Sequence, residues 1–324
     1  MTAMTATPPL FLQPLADRHG APAGLLFAAG ADQFEILPQA DLQALGAQFR
    51  CFYRAETAAP LAQILHDCGW RELPSAAVQH CEVFDPQLPP EIHWLDGDWY
   101  LAAPAKPVGN QAASRALALQ LVQLVNADAD THEIEALLRH DPTLSYHLLR
   151  LVNSLGMGTG RRVTSFSQAI LIIGRQQLRR WLNLMLFAAR EGDVRAAMLL
   201  ARVAVRARSM ELLAKAAGLD KHTQEQGFMV GMFSLLGVLF GLPLAEVLQP
   251  LTVSEAVQAA LLTHGGELGS LLALLELGER GAFAPLAEQL EAAQIDADEF
   301  NRIVADANLW MLSVATGGTG SAHA

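Results

Sequence analysis

The sequence predicts a mainly α protein, with an all-helical C-terminal two-thirds preceded by a small α/β region, and three observations predict it. Alanine and leucine dominate an apolar share of 52%, while aromatics reach only 6%; both residues enter helices at little entropic cost. Prolines interrupt the first 108 residues at short intervals, Pro14, Pro22, Pro38, Pro60 and Pro74 among them. From Asn110 onward, apolar residues recur at the spacing of one helix face.

Between the early prolines lie short apolar pieces: Leu25-Leu26-Phe27, Phe49-Arg50-Cys51-Phe52-Tyr53, and a helical-looking Leu61 to Cys68. Short strands alternating with short helices suit an α/β remnant. The Pro- and Gly-containing stretch Pro104 to Gly109 reads as a linker. After it, Leu117, Leu121, Leu124 and Val125 form one stripe, and Thr131, Ile134, Leu137 and Leu138 begin a second helix. Asp141-Pro142 opens a third, because Asp caps free amides and Pro suits the first helical position. Its stripe is Leu144, Leu148, Leu151 and Val152. Ser165 or Ser167 caps a short helix ending near Gly174, and the next carries Leu178, Trp181, Leu182 and Met185. Helices are then expected over Arg195–Gly218, Thr223–Gly241, Ser254–Leu262, Glu267–Gly281, Ala284–Ala293 and Asp298–Leu312. These readings divide the chain into residues 1–108, 109–313 and a Gly/Ser-rich tail, 314–324, expected to be disordered.

A length of 324 residues sits between one large domain and two ordinary ones, at roughly 150 residues per domain. Three cysteines without a Cys-x-x-Cys pair, and a start with no basic residue ahead of an apolar run, read as a reduced, cytoplasmic protein. Gly227 to Ala245 is nineteen residues without a charge, near the roughly 20 that span a bilayer. Its internal Pro243 and three glycines favour a buried core helix instead. The net charge of -11 is uneven: residues 1–105 carry -8, 106–215 carry +7 and 216–324 carry -10. A basic middle between acidic flanks is read as internal complementarity rather than as an anion-binding surface.

The run Asp141-Pro142-Thr143-Leu144-Ser145, ending in Asn153-Ser154, resembles the opening signature of HDOD domains. Ser165 to Ile170 followed by Ile173-Gly174 and Leu178 to Leu182 resembles the family's second stretch. Phe228-Met229-Val230-Gly231-Met232-Phe233-Ser234-Leu235-Leu236-Gly237 resembles the corresponding helix of a subgroup that joins HDOD to a cyclic-di-GMP phosphodiesterase-like EAL domain. The resemblance covers residues 110–300, about two-thirds of the chain, with three pieces in order. Leu12 to Gly20 and Trp94 to Pro104 are similar to the beginning and end of EAL regions. The residues between them are too few for an eight-unit barrel of about 250 residues, so the α/β region is expected to be a degenerate, truncated EAL-like remnant.

HDOD domains resemble the HD-type phosphohydrolases, which hold metals through a His-Asp pair to activate water. In this chain Ser234 stands at the histidine position and Leu235, which has no lone pair, at the aspartate. Where an EAL strand would carry its first metal-binding glutamate, Ala23-Gly24-Leu25-Leu26-Phe27 places Gly24. The resemblance therefore implies a pseudoenzyme, with no catalytic residue, no metal and no cofactor. His66, Cys68, His80, Cys81 and His93 fit no common zinc-finger spacing, and no nucleotide-binding loop or nucleophile elbow is present.

The expected role is signal transduction by protein–protein contact in a cyclic-di-GMP-related setting, with protein partners, a homo-oligomer among the options, and no membrane span. Two other readings stay open: a metal-dependent phosphodiesterase with non-standard ligands, and nucleic-acid binding through Arg161, Arg162, Arg175, Arg179 and Arg180. Those arginines could equally form a partner or anion surface, since guanidinium grips phosphate bidentately. Overall acidity opposes long-range attraction to DNA, so nucleic acid is not the expected partner.

Overall fold

The computed structural model describes residues 7–32, 34, 36–103, 193–249, 251 and 253–316, with a few positions between 120 and 134. The expected linker, the 108/109 boundary and, apart from those few positions, the helices expected between Leu117 and Met185 lie outside the described residues.

The chain begins with a hairpin, strand β1 (Leu10–Ala16) antiparallel to β2 (Pro22–Ala29). Asp17 shapes the turn: its Oδ1 accepts from the amides of His19 at 2.8 Å and Ala21 at 3.0 Å. Gly20 supplies the left-handed backbone the turn needs, at φ +80°. Helix α1 (Gln39–Gln48) leads to β3 (Cys51–Tyr53), and α2 (Ala59–Asp67) leads to β4 (Arg71–Glu72). Both crossovers return a strand parallel to its predecessor. Strands β5 (Val78–His80) and β6 (Trp94–Asp96) pair in parallel, and β6 joins β1 through Ala16 and Leu95. The sheet order is β4-β3-β2-β1-β6-β5.

Alternation along the strands separates two faces. Leu25, Phe27 and Cys51 enter the core beneath the helices, while Leu15, Leu26, Phe52 and Leu73 form a second cluster on the other face. That second face curls over itself. Strands β3 and β6 are separated by two others and would stand about 14 Å apart in a flat sheet with roughly 4.8 Å between strands. Yet the rings of Phe52 and Trp94 meet edge to face at 4.9 Å, and Arg54 bonds Asp96 at 3.0 Å. Trp70, fully buried, locks α1 to this layer by donating its indole N–H to the Leu42 carbonyl at 2.9 Å.

This corrects the expected fold class. The N-terminal part is not a small appendage to a mainly α chain but a six-stranded, mixed, sheet-rich half-barrel. Four of its strands have only two or three residues, too few for period-two alternation to register in sequence.

The helical part is built on α3 (Ala196–Ala216), against which α4 (Lys221–Phe233) packs closely. Gly231 makes that approach feasible, because a Cβ there would lie 2.6 Å from the Ala207 backbone. Short helices α5 (Leu236–Phe240) and α6 (Leu244–Leu248) follow, then α7 (Glu255–Thr263), α8 (Gly266–Glu279), α9 (Phe283–Ala292) and α10 (Ala297–Thr316). The single helix expected over Thr223–Gly241 is interrupted at Ser234 and Leu235, and α10 runs past its expected end at Leu312. The uncharged stretch Gly227–Ala245 is spread over three helices, and among the described residues no helix is long and apolar enough to cross a membrane.

Sheet and helices share one hydrophobic core. Asn301 of α10, fully buried, accepts from the Leu10 amide at 2.8 Å and donates to the Pro8 carbonyl at 3.0 Å. One side-chain amide thus satisfies edge groups of β1 that burial would otherwise leave unpaired.

Candidate functional site

The interruption after α4 puts Ser234 and Leu235 beside a buried cluster of charge. Arg202 and Arg206 lie one turn apart on α3, an otherwise apolar segment, and both are buried. Glu279, at the end of α8, is equally buried and receives a bidentate grip from Arg206: Nε to Oε1 at 2.7 Å and Nη2 to Oε2 at 2.6 Å. The remaining Nη1 of Arg206 donates to Ser234 Oγ at 2.9 Å, and that hydroxyl donates to the Gly231 carbonyl at 2.8 Å. Glu276 stands 3.8 Å from Arg206 and also meets His264 at 3.0 Å.

Arg202 faces the half-barrel. Its Nε and Nη2 donate to the Tyr100 hydroxyl at 2.9 and 2.6 Å, and Nη2 lies 3.4 Å from Asp98. Its Nη1, 3.6 Å from Glu279, forms an ion pair without a hydrogen bond. The guanidinium also rests over the rings of Phe11 and Tyr100. A second arginine, Arg195, is fixed by Asp193 and donates to the Ala102 carbonyl. Asp98, the Tyr100 hydroxyl and the Ala102 carbonyl therefore all meet arginines at the start of or within α3.

The electrostatics follow from burial and pairing. Burial pushes the Tyr100 hydroxyl up to about 12, against the pull of Arg202, so it stays protonated at neutral pH. Burial alone would lower Arg202, but Tyr100, Glu279 and Asp98 together outweigh it and hold the guanidinium above its ordinary value. Burial would raise the Glu279 carboxyl, but Arg206 and Arg202 overcome that and hold it below the usual carboxylate range. All three stay in the protonation state that satisfies their neighbours.

A divalent cation does not fit this donor set. Leu235 is a buried aliphatic chain, and Ser234 already receives a guanidinium N–H. The nearest buried carboxylate, Glu279, is committed to two arginines. A metal would have to displace a cation from the same partners. At Gly24 the position is likewise filled: a Cβ would lie 3.0 Å from the Phe52 ring. Among the described residues, no three His, Cys, Asp or Glu side chains stand together as metal ligands. The cysteines and histidines of the N-terminal part are dispersed: Cys68 contacts the Gln39 carbonyl, while His80 and Cys81 face Asp96.

The sequence reading named Ser234, Leu235 and Gly24 but missed Arg202, Arg206, Glu279 and Tyr100. A signal was present. Two arginines four residues apart inside Ala-Arg-Val-Ala-Val-Arg-Ala, and two glutamates inside a leucine-rich helix, are charges on buried faces that need partners. Arg161, Arg162, Arg175, Arg179 and Arg180 lie outside the described residues, as do the first two signature pieces.

The site and fold define a helical bundle whose centre is an arginine–glutamate cluster, coupled to a half-barrel. Residues 113–273 match the HDOD domain family, and the chain carries an HDOD domain. It is 28% identical over 195 residues to cyclic di-GMP phosphodiesterase CdgJ of Vibrio cholerae, covering 60% of this chain and 45% of that protein. It is 26% identical over 193 residues to the uncharacterized protein YuxH of Bacillus subtilis, covering 59% and 46%. The match thus spans under half the length of either relative. A crystal structure of a putative phosphohydrolase from Shewanella amazonensis aligns with a TM-score of 0.45 at 19% identity, covering 62% of this chain and 93% of that one.

Proposed function

We propose that this protein is a non-catalytic signalling module that works by protein–protein contact in a cyclic-di-GMP-related setting. The observation that carries the reading is the Arg206 guanidinium at 2.9 Å from Ser234 Oγ, the group at the position of a metal-binding histidine. A fixed positive charge there opposes a second cation, and metal-activated water is what a hydrolase of this kind requires. The relative named as a cyclic di-GMP phosphodiesterase supports the signalling setting. The half-barrel is, in this reading, a truncated EAL region. Support comes from its two successive strand–helix–strand crossovers with parallel strands, the unit from which βα barrels are built. Its inner face is packed with Leu15, Leu26, Phe52 and Leu73, as the side-chain-filled interior of a βα barrel is.

The test is a hydrolysis assay on the purified full chain with cyclic-di-GMP and with model phosphoesters, in Mg²⁺ and Mn²⁺, beside recovery of bound proteins from native lysate. No turnover above a Ser234→Ala control, together with a partner recovered at constant stoichiometry, supports the proposal. Turnover that a chelator abolishes refutes it.

A further inference from the structure

We propose that the half-barrel carries a binding site for a small phosphorylated ligand with a flat apolar body, in the cleft lined by Arg50, Arg71 and Trp94. The cleft lies at the N-terminal ends of β3 and β4, bordered by Phe52 and Trp94 at the rim of the filled inner face, and has a volume of about 550 Å³. That falls within the roughly 300–1,000 Å³ usual for small-molecule sites.

Residues 1–105 hold four arginines among twelve carboxylates, so a free arginine there has many neighbours of opposite sign. Arg54 uses one, Asp96. Arg18 spends both terminal nitrogens on the carbonyls of Pro90 and Leu88 at 3.0 Å each. Arg50 and Arg71 make no ion pair among the described residues, and both line the cleft.

Arg50 is held rather than loose. Its guanidinium sits 5.5 Å from the centre of the Trp94 ring, and Trp94 is in turn pinned by Phe52. A guanidinium stacked by its face keeps its N–H edges available, and those edges match two phosphate oxygens. Phe49 and Pro74 give the cleft apolar walls, which suit a flat hydrophobic body, and Glu72 offers an acceptor for a hydroxyl or amino group on it. An adjoining cleft of about 320 Å³ shares Arg50 and Trp94 and adds Asp17, Arg18, His19 and His93, so polar lining continues past Arg50.

The proposal is independent of whether the bundle signals by contact, and its failure would leave that reading untouched. Calorimetric titration of the full chain with adenosine monophosphate, inorganic phosphate and adenosine tests it. Saturable binding of the monophosphate is expected, with inorganic phosphate and adenosine each much weaker. Arg50→Ala and Arg71→Ala should each weaken it about ten- to a hundredfold, the worth of a charge-assisted hydrogen bond. Arg302→Ala, an exposed arginine on α10, should leave it unchanged. Arg71 is exposed and unpaired, so its variant should keep the parent's denaturation midpoint, which separates lost binding from lost folding. Absence of saturable binding, or binding indifferent to both substitutions, overturns the site. Phosphate binding as tightly as the monophosphate overturns the ligand assignment.

Discussion

Replacing Glu279 with glutamine tests the buried cluster most sharply. The carboxylate accepts two short bonds from Arg206 and stands 3.6 Å from Arg202. Glutamine keeps the volume but leaves two buried guanidinium groups without their shared counter-ion. Breaking a buried pair from one side costs about 3–5 kcal/mol, a large part of the 5–15 kcal/mol stability of an ordinary domain. Replacing both partners together, Arg206→Met with Glu279→Leu, removes one of the two stranded charges, leaves Arg202 with Tyr100 and Asp98, and should recover part of that loss. Urea denaturation of the parent, both single variants and the double variant gives the coupling directly. The pH dependence supplies a second check. The folded carboxyl is held below its ordinary value of 4.5, so its contribution is complete above about pH 4.5 and is lost as pH falls through the lowered folded value. Glu279→Gln should remove that part of the acid limb. A variant within about 0.5 kcal/mol of the parent, the scatter of ordinary surface substitutions, would refute the reasoning.

Tyr100→Phe should cost about 1.5–3 kcal/mol by taking the acceptor from two N–H groups of Arg202. Burial also raises the Tyr100 hydroxyl to about 12, so the parent should lose stability between pH 10 and 12 and the variant should lose less, as read by denaturation at stepped pH. Gly231→Ala gains up to about 1 kcal/mol of helix propensity. Its Cβ would nevertheless meet the Ala207 backbone at 2.6 Å, so a net loss of about 1–3 kcal/mol is expected; a net gain would show that α3 and α4 can part freely. Gly24→Glu should destabilise by about 1–3 kcal/mol through the Phe52 ring and should not create divalent-ion binding, both measurable by thermal denaturation with and without Mn²⁺.

The helices were legible where periodicity and capping agree. Ser254 announces α7 and caps it through a bond from the Val257 amide at 3.3 Å, and the helix expected over Arg195–Gly218 matches α3 to within a residue or two at each end. The break at Ser234 was not legible, because apolar residues continue on both sides and only tertiary packing shows where the helix must turn. In the half-barrel, Leu25-Leu26-Phe27 reads as a strand, but Arg71–Glu72 is two exposed residues defined only by their pairing with β3. Site legibility divides similarly. Ser234 and Leu235, which the resemblance sets at a metal-holding position, can be read from local sequence. What fills the place cannot, since Arg206, Glu279 and Tyr100 come from segments far apart in the chain and meet only in the folded core.

With Arg206 bound to both Ser234 and Glu279 at the centre of the bundle, a divalent cation should find no free ligand there. Calorimetric titration of the purified chain with Mn²⁺, repeated on Glu279→Gln, measures that directly. No saturable uptake by the parent protein is expected. Stoichiometric binding by the parent that disappears in the Glu279 variant would contradict it.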